Sequence, residues 1–127
     1  MKYSPKKIKS FTDLDAWKKA HELVLSIYKI TKYFPHEERF GLTNQVRRSA
    51  VSVSSNIAEG FSRHTSLEKK HFYYLSLGSL TEVQNQILIA RDVKFIPPSD
   101  FQEIAGQTII VSKLLNSLIK YLNLSNT

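Results

Sequence analysis

Apolar residues recur at helical spacing in four stretches of the sequence. In residues 12–34 they are separated by three and four positions: Trp17, Ala20, Val24, Ile27, Thr31 and Phe34. This period predicts an amphipathic helix. Thr12 and Asp15 have the spacing of a capping box at its start. Pro35 predicts its end, because the residue before a proline is biased out of the α region.

The second stretch, residues 42–60, carries two opposite stripes. One stripe is apolar: Val46, Ala50, Val53 and Ile57. The other is polar: Arg48, Ser52, Ser55 and Glu59. Thr43 or Asn44 is predicted to cap the start, and Gly60 suits a C-terminal stop. Because serine and valine are poor helix formers, we expect packing on both sides to hold this helix.

The third stretch runs from Leu67 to about Ile96, and Ser66 is its predicted cap. Its regular stripe is Phe72, Leu75, Ser79, Val83, Gln86 and Ala90. Further apolar residues extend over more than half of the circumference: Tyr73, Leu77, Leu80, Ile87 and Leu88. Such a helix is covered on more than one side. Gly78 lies mid-helix, where glycine costs about 1 kcal/mol relative to alanine, so we expect another helix to approach closely there.

Pro97 and Pro98 interrupt the chain before a fourth helix. Ser99 is its predicted cap, with Gln102 at the reciprocal position. Its apolar seam repeats every 3.5 residues on average: Ile104, Thr108, Val111, Leu115, Leu118 and Leu122. A seam of this period packs along a neighbouring helix.

Four amphipathic segments with short links predict an all-α fold, an antiparallel up-down-up-down four-helix bundle. We assign residues 11–123 to the bundle, 1–10 to a basic N-terminal arm and 124–127 to a tail. The second and third helices have more apolar or small-residue surface than one bundle buries. We therefore expect the chain to form a homo-oligomer.

Charge and composition narrow the possible functions. Residues 1–71 hold 14 lysines and arginines against 7 acidic residues, whereas residues 72–127 hold four of each. A one-sided basic excess of this kind favours a polyanionic partner such as nucleic acid, although it also serves solubility. The absence of cysteine excludes disulfides and thiolate chemistry. No apolar run is long enough to span a membrane, and the first ten residues lack a secretory signal, so we expect a cytoplasmic protein.

The candidate nucleic-acid contacts are cationic side chains of the arm, the second helix and the turn after it. They are Lys6, Lys7, Lys9, Arg47, Arg48, Arg63, Lys69 and Lys70. The last three, with His64, are expected to form one patch near the start of the third helix, where the helix dipole also attracts phosphate. Alternatively, Arg47 and Arg48 form structural ion pairs with Glu59 and Glu82 on sheltered faces.

No pattern in the sequence predicts catalysis, a metal or a cofactor. A di-iron bundle needs two Glu-x-x-His pairs, and only Glu68 and His71 have this spacing. Helical ribonucleases of the HEPN type carry Arg-x4–6-His, and no arginine here has a histidine at that distance. The four histidines include no pair separated by four positions. We therefore expect a protein that is not an enzyme.

Several motifs together resemble one protein family. They are Leu14-Asp15-Ala16-Trp17, Phe34-Pro35 with Glu38, Phe40-Gly41-Leu42, the run from Gln45 to Val53, Asn56-Ile57-Ala58-Glu59-Gly60 and Gly78-Ser79-Leu80-Thr81-Glu82. This set resembles the proteins encoded in intervening sequences of bacterial 23S ribosomal RNA genes. The accessory variability-determinant proteins of diversity-generating retroelements are similar. The resemblance covers about residues 11–123. It departs at Ser54-Ser55, where many relatives carry proline.

The resemblance implies an antiparallel four-helix bundle that associates as a homopentameric ring with a basic surface. Arg47, Arg48, Ala58, Glu59 and Gly60 match signature positions of the family, and none matches a catalytic residue. The retroelement members are thought to bind nucleic acid and a reverse transcriptase. The expected function is therefore binding of structured RNA or DNA without catalysis. The alternative is a protein-interaction scaffold or accessory subunit, for example for a reverse transcriptase, that does not itself bind nucleic acid.

Overall fold

A computed structural model describes residues 7–125, and this part of the chain contains four α-helices and no strand. The helices are α1 (Asp15–Thr31), α2 (Leu42–Ser62), α3 (Ser66–Asp92) and α4 (Pro98–Ser125). Single 3₁₀ turns at Phe11–Asp13 and His36–Glu38 precede α1 and α2. The predicted all-α class is thus confirmed. Lys6 lies outside the described residues, as does most of the proposed arm.

A capping box lies before α1, two residues earlier than predicted, and holds the 3₁₀ turn. The Ser10 hydroxyl accepts a hydrogen bond from the Thr12 backbone N–H at 3.3 Å, and the Asp13 carboxylate accepts one from the Ser10 backbone N–H at 3.1 Å. The predicted pairing of Thr12 with Asp15 is therefore wrong. Ser10 and Asp13 cap the 3₁₀ turn, and the α-helix begins only at Asp15.

The start of α2 is also held by a residue that the sequence pattern did not indicate. The Glu38 carboxylate accepts a hydrogen bond from the Leu42 backbone N–H at 3.1 Å, and neither Thr43 nor Asn44 caps the helix. A carboxylate suits this position because it faces the positive end of the helix dipole.

The two remaining helix starts lie one and two residues before the predicted ones. Thr65, and not Ser66, caps α3 by accepting a hydrogen bond from the Glu68 backbone N–H at 3.1 Å. The first residue of α4 is Pro98, so Ser99 lies inside the first turn. Proline is favoured at a first helical position because the N–H that it lacks would have no helical partner there.

Three of the four predicted apolar stripes form the core. All four residues of the α2 stripe are buried, and so are five of the six in α4, with Leu118 partly buried. In α1, Trp17 and Val24 are only partly buried, and two residues outside the predicted stripe, Ala16 and Leu23, are buried. Each of α1 and α3 packs against both α2 and α4. The core is thus built from one stripe of each helix.

The predicted stripe of α3 is wrong at most positions. The buried residues are Tyr73, Ser76, Leu80, Val83, Ile87 and Ala90, so only Val83 and Ala90 belong to the predicted regular stripe. Tyr73, Leu80 and Ile87 belong to the further apolar residues that were predicted to extend it. Leu75, a member of the regular stripe, is 44% exposed. The error arises because apolar residues surround most of this helix, and periodicity alone cannot then select the buried side.

Small side chains bring α2 and α3 together. The fully buried Ser76 hydroxyl donates a hydrogen bond to the Val53 carbonyl at 2.7 Å, and the Ser52 and Ser79 hydroxyls are 2.8 Å apart. The Ser49 hydroxyl donates to the Glu82 carboxylate at 3.3 Å. In these three pairs, the residue number on α3 decreases as the residue number on α2 increases. The serine content of α2 therefore serves its packing, as the sequence suggested.

Two glycines have roles that differ from the prediction. Gly60 does not stop α2, which continues to Ser62, and no glycine among the described residues has positive φ. A Cβ at Gly60 would lie 2.6 Å from Cε1 of Tyr73, so the glycine permits this contact. A Cβ at Gly78 would meet nothing within 4 Å. The close approach predicted at Gly78 is thus not made by this chain itself.

Candidate nucleic-acid interface

Several of the predicted basic residues lie at one end of the four helices. Arg47, near the start of α2, bonds to Thr31 at the end of α1, so α1 begins near the end of α2. The Lys70 ammonium donates to the Asn123 side-chain oxygen at 2.9 Å, which places the end of α4 beside the start of α3. We call this end, with the α2–α3 turn and the start of α1, the turn end.

Lys69 forms hydrogen bonds within the fold. Its ammonium donates hydrogen bonds to the Phe61 carbonyl at 2.7 Å and the Gly60 carbonyl at 3.5 Å. These carbonyls belong to the last turn of α2, where a cation complements the helix dipole. Partial burial lowers the pKa of Lys69. Its contacts indicate that it stabilises the end of α2, and fewer of its donors remain for a phosphate.

Arg63 is held in a fixed orientation at the end of α2. Its guanidinium carbon lies 4.6 Å from the centre of the Phe72 ring, and Nη2 lies 3.5 Å from a carboxylate oxygen of Glu59. Its Nε is buried without a hydrogen-bond partner. Contact with an aromatic face orders an arginine side chain and leaves the edge of its guanidinium available for hydrogen bonds.

The other cations of the turn end are available to a partner. The side chains of Lys7, Lys9 and His64 are exposed and make no hydrogen bond or ion pair with the rest of the described chain. Lys70 is partly buried and is positioned by Asn123. The turn end therefore combines positioned cations with exposed cations whose side chains have no bond in the described chain.

Arg47 and Arg48 are far from this cluster. At 1.5 Å per residue, Arg47 lies about 24 Å from Arg63 along α2. Its Nε donates to the Thr31 hydroxyl at 2.8 Å, and its guanidinium covers the Tyr28 ring at 4.7 Å. Arg47 thus joins α2 to α1, whereas Arg48 is exposed and makes no such bond. The predicted cations do not form one continuous patch.

The alternative prediction, structural ion pairs of Arg47 and Arg48 with Glu59 and Glu82, is wrong for the described chain. Both glutamates are exposed rather than sheltered. Glu59 pairs with Arg63 one turn later, and Glu82 accepts a hydrogen bond from Ser49. Arg48 and Glu59 lie about 16 Å apart along α2, since each residue adds 1.5 Å, and this separation prevents an ion pair within the helix.

The turn end also contains an open groove of about 620 Å³. It is lined by Arg63, Leu67, Glu68, Lys70, His71, Phe72, Tyr74 and Asn123. The charge pattern of the sequence indicated Arg63 and Lys70 as site residues, but it did not indicate the aromatic residues or Asn123. The run from Lys70 to Tyr74 places cations next to aromatic residues, and this pattern could have indicated the groove. Asn123 is more than fifty positions away from Lys70, and only the packing of α4 on α3 brings them together.

Residues 7–125 contain no group of three or more potential metal ligands from histidine, cysteine, aspartate and glutamate. In the same range, none of the four helices combines the length and apolar character that a membrane span requires.

Comparison with known proteins identifies the family. A sequence profile of the 23S rRNA-intervening sequence protein family matches residues 12–117. The chain belongs to this family. No functionally curated protein gives a significant match. The profile covers all of α1, α2 and α3 and most of α4, whereas Asn123 of the groove and Lys7 and Lys9 of the turn end lie outside the matched residues.

A solved structure supports the fold of this family member. The chain is similar to the crystal structure of a protein of unknown function from the S23 ribosomal protein family of Bacteroides thetaiotaomicron. The TM-score is 0.77 at 22% sequence identity, over 83% of this chain and 98% of the other. At this identity the likeness establishes a shared fold, and function has to be argued from the residues of this chain.

Proposed function

We propose that this family member is a non-enzymatic, oligomeric protein that binds structured RNA or DNA through its turn end. The observation that carries the proposal is the grouping of exposed cations there, Lys7, Lys9 and His64, beside the positioned Arg63 and Lys70. Contacts of lysine and arginine with phosphates supply most of the sequence-independent affinity for nucleic acid. Such contacts follow the backbone and the shape of the nucleic acid and not its base sequence.

The test compares two double charge reversals at opposite ends of α1. Lys7→Glu with Lys9→Glu alters the turn end, whereas Lys29→Glu with Lys32→Glu makes the same change of charge at the far end. Both pairs consist of exposed lysines. Lys69 is avoided because its replacement would disturb the end of α2. Fluorescence anisotropy with ribosomal RNA fragments, over a series of salt concentrations, gives the affinity and its salt dependence.

We expect the turn-end variant to bind weakly and to show a salt dependence lower by about two counterions, about one for each lysine. The control variant should lose less affinity, and circular dichroism should show both variants to be helical. An equal loss in the two variants would contradict a localised interface. Absence of binding by the unaltered protein to the RNA fragments, and to DNA of the same sequence, at every salt concentration would reject nucleic-acid binding.

For the architecture, we propose an antiparallel up-down-up-down bundle that assembles into a homopentameric ring. Opposed pairs support the antiparallel order: Lys70 with Asn123 and Gln84 with Thr108 join α3 to α4. The ring is supported by Leu75 and Ile89 of α3 and by Val93 directly after it, which are 43–51% exposed. At 100° per residue they fall on one side of the helix, the side of Gly78. A second copy would remove this apolar surface from water.

A protein-interaction scaffold is the second candidate, and two exposed aromatic residues favour it. Tyr33 is 78% exposed and Phe40 is 81% exposed, both in the connection between α1 and α2, far from the turn end. Aromatic residues exposed in this way are typical anchors of protein interfaces. Binding to a purified partner, such as a reverse transcriptase, that survives nuclease treatment and is lost in Phe40→Ala would support this role.

A further inference from the structure

We propose that the groove at the turn end binds an unpaired nucleotide, with its base stacked on Tyr74 and its phosphate beside Lys70 and Arg63. This inference rests on the proposed function and specifies which part of a structured nucleic acid the protein recognises. Duplex bases are already stacked on their neighbours, so a groove of this kind selects bulges, loops or single-stranded ends.

The stacking surface lies on one face of α3. Leu67, Lys70, His71 and Tyr74 are separated by three or four positions along the helix, so their side chains are neighbours. The Leu67 side chain is 74% exposed and that of Tyr74 is 57% exposed. An aromatic ring open to solvent accepts any base, because every base has a π-face, and stacking of this kind is a main source of affinity for single strands.

Two cations are positioned beside this surface before any ligand arrives. Asn123 holds the Lys70 ammonium, and the Phe72 ring orders the guanidinium of Arg63. Because their side chains are already ordered, less entropy is lost when a phosphate binds. His71 contacts the edge of the Phe72 ring, 5.2 Å away between ring centres, and adds a further exposed polar ring.

The remaining lining residues and the size of the groove fit a nucleotide. Glu68 is the one acidic residue of the lining. Its carboxylate can accept hydrogen bonds from the amino groups of a base, and it repels phosphate from its own edge of the groove. The groove volume of about 620 Å³ lies within the range of roughly 300–1,000 Å³ that small-molecule sites occupy.

The experiment measures the affinities of the unaltered protein and three variants for two RNAs. One RNA is a blunt duplex, and the other is the same duplex with a short single-stranded tail that contains the fluorescent base 2-aminopurine. Tyr74→Ala removes the stacking ring, and Tyr74→Phe retains it. Tyr33→Ala is the matched control, because Tyr33 is also an exposed tyrosine but lies at the other end. Thermal unfolding verifies that all three variants fold.

We expect Tyr74→Ala to lose about fivefold to a hundredfold in affinity for the tailed RNA, the range that removal of one stacking contact produces. Its affinity for the blunt duplex should be unchanged, as should the affinities of Tyr74→Phe and Tyr33→Ala for both RNAs. Stacking should quench the 2-aminopurine fluorescence with the unaltered protein and with Tyr74→Phe, but not with Tyr74→Ala.

The possible failures are distinguishable. Equal affinity of Tyr74→Ala and the unaltered protein for the tailed RNA, or equal losses for the two RNAs, would overturn the groove inference and leave the proposed function standing. Equal losses in Tyr74→Ala and Tyr33→Ala would also overturn it. If the unaltered protein binds neither RNA, the proposed function itself is rejected.

Discussion

At the residue scale, the adjacent Lys69 and Lys70 show why a candidate site can be predicted only in part from the sequence. Lys69 and Lys70 are equivalent in composition and charge pattern, and both were predicted to contact nucleic acid. In the fold, Lys69 turns to the last carbonyls of α2, whereas Lys70 faces α4 and the groove. The difference of about 100° between successive helical residues decides their roles, and it has meaning only once the neighbours of α3 are known.

Gly60 gives a test of packing at the same scale. Alanine would favour the helix, but its Cβ would lie 2.6 Å from Cε1 of Tyr73 and 3.2 Å from the Lys69 carbonyl. Tyr73 is buried and cannot move aside. We expect Gly60→Ala to lower the free energy of unfolding by about 1–3 kcal/mol, the usual effect of overpacking. Urea unfolding measures this change.

Gly106 supplies the control for this variant. It also lies within a helix, and a Cβ there would meet nothing within 4 Å. Gly106→Ala should therefore raise the free energy of unfolding by up to about 1 kcal/mol, because alanine is the better helix former. Equal stabilisation by the two substitutions would show that Gly60 and Tyr73 are not in tight contact.

At the element scale, the sequence predicts a helix well when its apolar residues occupy a single stripe. The buried side of α2 was identified completely, because its opposite side is serine-rich and polar. The buried side of α3 was misplaced, because leucine, isoleucine and tyrosine occur around most of this helix. Helix starts were misplaced by one to three residues. At α3 serine and threonine occupy neighbouring positions and only the geometry selects Thr65, whereas α2 is held by Glu38 from the preceding turn and α4 begins at a proline.

The pairing of α2 with α3 depends on Ser76, which is fully buried and donates to the Val53 carbonyl. Replacing it with leucine adds two heavy atoms to the side chain where the two helices meet. We expect Ser76→Leu to lower the free energy of unfolding by at least 1–3 kcal/mol, roughly the effect of overpacking a core. Thermal unfolding monitored by circular dichroism would measure it.

Thr81 is the matched position for this test. It lies on α3 but is exposed, and its hydroxyl bonds only to the Leu77 carbonyl of its own helix. Thr81→Leu should leave stability within about 0.5 kcal/mol of the unaltered protein, as is usual for surface substitutions. If Ser76→Leu is tolerated equally well, the close approach of α2 and α3 is not fixed by small side chains.

At the scale of the whole molecule, four apolar stripes with short links were sufficient to predict four packed helices. They were not sufficient to predict which residues the ends of the molecule bring together. The turn end joins the start of α1, the α2–α3 turn and the end of α4, which are distant in sequence. The groove and its aromatic residues follow from that arrangement.

The proposed ring requires that another copy of the chain contact α3, and a substitution at Gly78 can test this contact. The residue is exposed, has ordinary helical φ and would have space for a side chain in a single chain. In a monomer a glycine at this position has no packing role and destabilises the helix by about 0.8–1.0 kcal/mol. In a ring it would let a second copy approach α3 beside Leu75 and Ile89.

Gly78→Gln distinguishes these cases, with Gly106→Gln as the matched control. If α3 contacts another copy, Gly78→Gln should reduce the mass measured by light scattering and make it depend more strongly on concentration. Gly106→Gln should leave the mass unchanged. Both substitutions favour the helix by up to about 1 kcal/mol, so loss of mass cannot be attributed to an unstable subunit. A monomer mass for the unaltered protein would reject the ring. An unchanged oligomer in Gly78→Gln would place the contact between copies away from this side of α3.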